Sequence, residues 1–143
     1  MTTSGSIALA AGAALSTAAA LAHVACVVLG PAAYRFMGAG ERMARAVEAG
    51  KLQPIIVTLA ISATLLAWAA YALSGAGLVA RLPFTKVALL AITAAYLGRA
   101  LAFPLLRPVF PENSTTFWLV SSGLCLVIGL AHLYGLVARW PAL

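Results

Sequence analysis

The feature that most constrains this chain is its series of long apolar stretches, which leave nearly all charged side chains between them. Of the 143 residues, 64% are hydrophobic and only 8% are charged. A soluble domain is about 45–50% apolar and about 25% charged, and a soluble fold with so few charges would expose large apolar patches to water. The surplus apolar surface must therefore face lipid, which predicts an integral membrane protein.

Four of the apolar stretches have the length of a transmembrane helix, which is about 20 residues. The spans are predicted at residues 7–29, 54–73, 83–103 and 116–137. Proline favours the first turn of a helix and glycine the position just past its end, so Gly30, Pro54 and Pro83 mark boundaries. The sequence thus predicts an all-α fold, in which residues 1–143 form one four-transmembrane-helix bundle with short loops.

The segment between the first two spans is polar, and its spacing predicts a short helix at about residues 40–50. Glu41 and Arg45 lie four residues apart in the orientation that stabilises a helix. Met43 and Val47 share one side of that helix. This amphipathic pattern is typical of an interfacial helix on the membrane surface, and a helix that is merely solvated is the alternative.

The basic residues predict the orientation of the chain, because cytoplasmic loops are rich in Lys and Arg. The side of the first and third loops carries the larger set of basic residues: Arg35, Arg42, Arg45, Lys51, Arg99 and Arg107. The opposite side has only Arg81, Lys86 and Arg139. We therefore expect both termini outside and these two loops in the cytoplasm, and we interpret the net charge of +6 as membrane topology rather than nucleic-acid binding. The Ala-rich spans and the preference for Arg over Lys suggest a bacterial inner membrane.

Ionisable residues inside the spans are few, and none of them is a carboxylate. The chain has no Asp, and its three Glu residues lie outside the predicted spans. Proton pumps and proton exchangers commonly use an intramembrane carboxylate. Its absence argues against a self-contained proton-driven transporter and leaves facilitated diffusion open.

The histidines, His23 and His132, are the candidate cofactor ligands. Each lies on a helix stripe of small residues spaced by three and four, which is typical of helix faces that pack in lipid. Each either makes one interhelical hydrogen bond or binds haem or quinone. Because the two differ in depth by roughly 13 Å at 1.5 Å per residue, one haem iron held by both in one subunit is disfavoured. Cys26 and Cys125 do not complete a zinc motif, so no metal site is predicted.

Arg99 is the charged residue nearest the membrane interior on the cytoplasmic side. Its side chain either extends outward to the lipid phosphates or forms an anion or headgroup site together with Arg35 and Arg107. No catalytic residues are predicted, and no particular cofactor is indicated.

Two functional classes remain. The first is a non-enzymatic membrane component, either an accessory subunit or a small homo-oligomeric carrier, whose partners are the bilayer and either further copies of the chain or another membrane protein. The alternative is a membrane binder of haem, quinone or lipid that uses the histidine-bearing helix faces.

Overall fold

The computed structural model describes residues 3–143, and within this range the chain is helical and contains no β-strand. The helices are α1 (Ser4–Leu29), α2 (Pro31–Phe36), α3 (Glu41–Glu48), α4 (Gln53–Ala76), α5 (Thr85–Leu101), α6 (Phe103–Leu106) and α7 (Thr115–Arg139), and α7 continues into a 3₁₀ turn, Trp140–Ala142. Thr3 caps α1 and Ser114 caps α7 through their side-chain oxygens, which satisfies amides that a helix start leaves unpaired.

The four long helices α1, α4, α5 and α7 pack side by side, and each is antiparallel to its two neighbours. α1 packs against α4 and α7, and α5 packs against α4 and α7. The bundle therefore has two ends. The loop end contains residues 30–52 and 102–114, and the terminal end contains Thr3, residues 77–84 and residues 140–143.

Three helical segments are long and apolar enough to cross a membrane within the described part of the chain: Ser4–Leu29, Gln53–Ala76 and Thr115–Ala142. The helix expected at residues 83–103 is shorter, since α5 has 17 residues, or about 25 Å at 1.5 Å per residue. The helix is interrupted at Ala102, and Pro104 lies in the first turn of the separate helix α6. Proline has no amide hydrogen with which to continue the preceding helix.

Glycines allow α1 and α7 to approach closely. A Cβ atom added at Gly135 would lie 2.5 Å from Leu9 Cγ and 3.0 Å from the Gly5 carbonyl oxygen. A Cβ atom added at Gly12 would lie 2.6 Å from Cε1 of His132. Small residues that bring backbones together are the usual means by which helices associate in lipid.

At the loop end, the apolar side of α3 packs onto protein. Ala44 is fully buried together with Cys26 and Tyr34, and Met43 and Val47 pack against this group. The largest contacts of α3 with other helices are with α2 and α4. The amphipathic pattern that predicts an interfacial helix is therefore used, at least on its apolar side, to cover the end of the bundle.

We predict that Gly135→Ala destabilises the protein by about 1–3 kcal/mol, the usual cost of adding a methyl group to a filled core. One of the two nearest obstacles is a backbone carbonyl, which cannot rotate away. Thermal unfolding of the detergent-solubilised protein measures the effect.

Gly123→Ala is the matched control, because it lies on the same helix and a Cβ atom there meets nothing within 4 Å. Equal stability of the two variants would contradict the close packing of α1 on α7.

Candidate functional site

The interior of the bundle contains a group of four polar and aromatic side chains, one from each long helix. We call Ser16, Trp68, Tyr96 and His132 the interior cluster. The hydroxyls of Ser16 and Tyr96 are 2.7 Å apart and hydrogen-bonded. The Tyr96 ring lies edge-on to Trp68, with centroids 5.2 Å apart, and 5.4 Å from the His132 ring. These contacts bring together side chains that are as many as 116 residues apart in the sequence.

His132 is fully buried, with no exposed surface. Its Nδ1 atom lies 2.9 Å from the Ile128 carbonyl oxygen one turn earlier. Because a carbonyl oxygen only accepts hydrogen bonds, Nδ1 carries the proton and the neutral ring leaves Nε2 as an acceptor. Nε2 has no hydrogen-bond partner among the described residues. The same arrangement, with Nδ1 held by a backbone carbonyl, orients histidines that ligate metals through Nε2.

The structure does not bring His23 to this cluster. His23 is half-buried and donates from Nδ1 to the Ala19 carbonyl oxygen at 2.7 Å. His132 packs against Gly12, which precedes His23 by eleven residues on α1, or about 16 Å of helix at 1.5 Å per residue. Two imidazoles this far apart along the bundle do not ligate one iron.

Arg99 and Arg107 both make contacts with α7. The Arg99 guanidinium donates to Ser121 Oγ at 2.9 Å and to Ser122 Oγ at 3.4 Å. It also lies over the Trp118 ring, with 5.3 Å between Cζ and the ring centroid. Arg107 is exposed and donates to Thr115 Oγ1 at 2.9 Å.

Arg35, the third member of the predicted anion site, is occupied by carboxylates. It forms a two-pronged ion pair with Glu41, at 2.9 and 2.8 Å, and a further one with Glu48 at 2.8 Å. Arg45 adds a longer contact to Glu41 at 3.2 Å. The structure therefore ties Arg35 to α3, and its hydrogen bonds to Glu41 and Glu48 raise its pKa.

The cysteines remain separate from each other and from a metal-binding group. Cys26 and Cys125 are free thiols, and Cys26 Sγ lies 3.8 Å from the Ala33 carbonyl oxygen. Within residues 3–143, no three His, Cys, Asp or Glu side chains come close enough together to hold a metal ion.

The predicted stripes of small residues include Ser16 in the first span and His132 in the fourth, but no spacing in the sequence indicates the roles of Trp68, Tyr96 and Trp118. Trp118 lies near the start of α7, where an aromatic residue is typical of a membrane interface, yet it is 3% exposed and packs on Phe110 and Phe117. Aromatic residues within a continuous apolar run have no spacing that separates core positions from lipid-facing ones.

No protein-family model, curated protein or solved structure matches the chain. The interior cluster itself offers one lone pair on His132 Nε2, the hydroxyls of Ser16 and Tyr96, and the face of an indole. The three glutamates lie at the loop end, away from it. The cluster is thus equipped to accept a hydrogen bond or to coordinate a ligand rather than to pair a general acid with a carboxylate base.

The Glu41 carboxylate offers a direct test of the ion pairs at the loop end. Hydrogen bonds from Arg35, and next from Arg45, lower its pKa from 4.5 to about 2. A lowered carboxyl pKa means that the ion pairs stabilise the fold above about pH 4.5 and are lost as the pH falls through about 2. We expect a carboxyl ¹³C NMR titration to place Glu41 near 2 and Arg35→Gln to raise its pKa toward 4.5.

Arg42→Gln is the control, because Arg42 is exposed on the same helix and does not contact Glu41 in any ion pair of the described residues. A normal Glu41 pKa in the unaltered protein would contradict these ion pairs.

Proposed function

We propose that this chain is a four-span, non-enzymatic component of a bacterial inner membrane, acting as an accessory subunit or as a small homo-oligomeric carrier. The supporting observation is the outward surface of the bundle, where all four long helices expose large apolar side chains. Examples are Val28, Ile56, Val87 and Val127, each more than half exposed. In lipid this surface is solvated, whereas in water it would cause aggregation.

The short helix α5 requires its own account in this proposal. Apolar side chains of α5 such as Val87 and Leu101 face outward like those of its neighbours, and the helix packs between α4 and α7. A segment shorter than the hydrocarbon core crosses a membrane when flanking residues extend to the interface or the bilayer thins locally. Lys86, near the start of α5, is placed for such extension.

Homo-oligomer formation is supported by small residues on the lipid-facing side of α4. Ala60, Ala63, Ala67 and Ala70 are all exposed and follow one another at steps of three and four. Helices that present such a stripe can bring their backbones together in lipid, where van der Waals contact is a main driving force for association.

A second candidate function, binding of haem, quinone or lipid, is favoured by the buried Nε2 atom of His132. A buried acceptor with no donor costs about 1–3 kcal/mol, which a ligand donor or a metal centre would recover. A groove of about 410 Å³ on α4 is lined by Trp68, and Trp68 contacts Tyr96 of the interior cluster. Because Trp68 belongs to the interior cluster, an acyl or isoprenoid chain in this groove would contact the cluster through the Trp68 indole.

The proposed orientation is tested with cysteines introduced at two exposed alanines, Ala49 at the loop end and Ala80 at the terminal end, after Cys26 and Cys125 are replaced by Ala. We expect a membrane-impermeant maleimide to label Ala80→Cys in intact cells. Ala49→Cys should react only after the membrane is opened, because the basic loops stay in the cytoplasm.

Labelling of both sites from outside would overturn the four-span arrangement. Labelling of Ala49→Cys alone would overturn the orientation. The two substitutions are matched in residue type and exposure, so a difference between them reports the side of the membrane.

Native mass spectrometry of the detergent-purified protein tests the two functional candidates together. We expect a mass that is a multiple of the 14.6 kDa chain for a homo-oligomer, and an additional small-molecule mass for a binder. His132→Ala should remove that additional mass and leave the oligomer intact.

His23→Ala is the matched control, since His23 lies outside the interior cluster and should leave the ligand bound. A single bare chain would contradict both the homo-oligomer and the ligand binder. An additional mass that survives His132→Ala would exclude His132 as the ligand-binding residue, and visible absorption of the same sample distinguishes haem from colourless ligands.

A further inference from the structure

Among residues 3–143, the partners of Arg99 are all neutral, although its guanidinium is half-buried at the loop end of the bundle. Two serine hydroxyls, Ser121 Oγ and Ser122 Oγ, accept its hydrogen bonds, and the Trp118 ring lies beneath it. Hydroxyls and an aromatic face solvate a cation, but they do not neutralise its charge.

The three glutamates of the chain are engaged elsewhere. Glu41 and Glu48 form ion pairs with Arg35, and Glu112 accepts a hydrogen bond from the Glu41 amide at 2.5 Å. In the part of the chain that the structure describes, ion pairs involve only Arg35 and Arg45 among the arginines. The positive charge of Arg99 is therefore not compensated by the protein.

The direction of the Arg99 side chain raises the free-energy cost of leaving its charge without a carboxylate partner. Side chains of a helix lean toward its N-terminus, so Arg99 on α5 leans back toward the middle of the bundle. Its partners Ser121 and Ser122 lie six and seven residues into α7, or about 9–10 Å from the start of that helix at 1.5 Å per residue. The guanidinium thus points inward instead of extending out to bulk water.

Trp118 supplies a second donor without an acceptor at the same place. The residue is 3% exposed, and its Nε1 atom has no hydrogen-bond partner among the described residues. The indole N–H can only donate, and all nitrogens of the guanidinium likewise only donate. The Trp118 N–H lacks a hydrogen-bond acceptor, and the Arg99 guanidinium lacks an acceptor that is negatively charged.

We propose that Arg99 and Trp118 form a binding site for a phosphate-bearing anion, either the headgroup of an anionic phospholipid or free inorganic phosphate. Guanidinium groups bind phosphate oxygens through paired, charge-assisted hydrogen bonds. The site rests on the proposed membrane placement, and it omits Arg35, whose charge is matched by Glu41 and Glu48. Arg107 lies outside it, on Thr115.

The experiment uses Trp118 itself as the reporter, in protein that carries Trp68→Phe and Trp140→Phe and is reconstituted into phosphatidylcholine bilayers. Fluorescence quenching is compared for phosphatidylglycerol and phosphatidylcholine that are brominated near the headgroup. We expect the anionic lipid to be preferred about fivefold at Trp118, the factor that corresponds to one basic residue near a membrane surface. Equal quenching by the two lipids, with no response to phosphate, would overturn the proposal.

Three variants separate the site from general surface charge. Arg99→Gln should abolish the preference, Arg99→Lys should keep part of it, and Arg107→Gln, an exposed cation at the same end, should leave it nearly unchanged. A preference that survives Arg99→Gln, or that falls equally with Arg107→Gln, would overturn the site. The comparison of lipids in the unaltered site requires no variant at Arg99, so it stands even if Arg99→Gln does not fold.

Inorganic phosphate, added at constant ionic strength, distinguishes the two sources of the anion. Loss of the lipid preference on its addition assigns the site to the free anion, and an unchanged preference assigns it to the lipid headgroup. Because quenching is read in either orientation of the reconstituted protein, it can fail independently of the cysteine labelling and of the His132 mass measurement.

Discussion

The close contact between α1 and α7 is the interaction on which the remaining structure depends, because these helices are first and last in the bundle and no loop joins them. The pairs α1–α4, α4–α5 and α5–α7 are consecutive long helices, so short connections hold them near each other. The four long helices form a ring, and side-chain packing between α1 and α7 is what closes it. The contact requires Gly5 and Gly12 on one helix and Gly135 on the other, where side chains such as Leu9 and His132 fill the space that a Cβ atom would take. In the closed ring, Ser16 of α1 reaches Tyr96 of α5 and completes the interior cluster.

Buried polar side chains in the apolar interior form hydrogen bonds either within their own helix, as Thr58 and Thr93 do, or with a neighbouring helix. Ser62 donates to the Ala20 carbonyl oxygen at 2.9 Å, and Arg139 donates from Nε to the Gly75 carbonyl oxygen at 3.0 Å. Such bonds contribute about 0.6 kcal/mol each on average in membranes. In contrast, His132 Nε2 and Trp118 Nε1 are buried and have no hydrogen-bond partner in the described part of the chain. One lies in the middle of the bundle as an acceptor and the other near the loop end as a donor, so no single ligand chemistry serves both.

The sequence predicts the packed faces better than the ends of the elements. Steps of three and four place Ser122, Gly129 and His132 on one stripe, and all three are buried. No spacing in the sequence predicts the ion pairs of Arg35. These ion pairs depend on the chain reversal at Gly38 and Gly40, which both have positive φ and turn α3 back onto α2. Only the Glu41–Arg45 contact within α3 follows from spacing. The third predicted span ends at residue 103, directly before Pro104, and α5 ends two residues earlier at Leu101; the separate helix α6 that follows was not predicted.

Charge distribution relates the proposed orientation to the proposed anion site. Six basic and three acidic side chains lie at the loop end, against three basic and no acidic side chains at the terminal end, so the side-chain net charge of the two ends is equal. Orientation in membranes nevertheless follows Lys and Arg counts rather than net charge, which favours a cytoplasmic loop end. That leaflet also carries the anionic phospholipid whose surface potential attracts basic side chains. Because Glu41 and Glu48 neutralise Arg35, anionic phospholipid is attracted mainly to basic side chains that have no carboxylate partner. Among these, Arg99 is the one that lies against a buried indole.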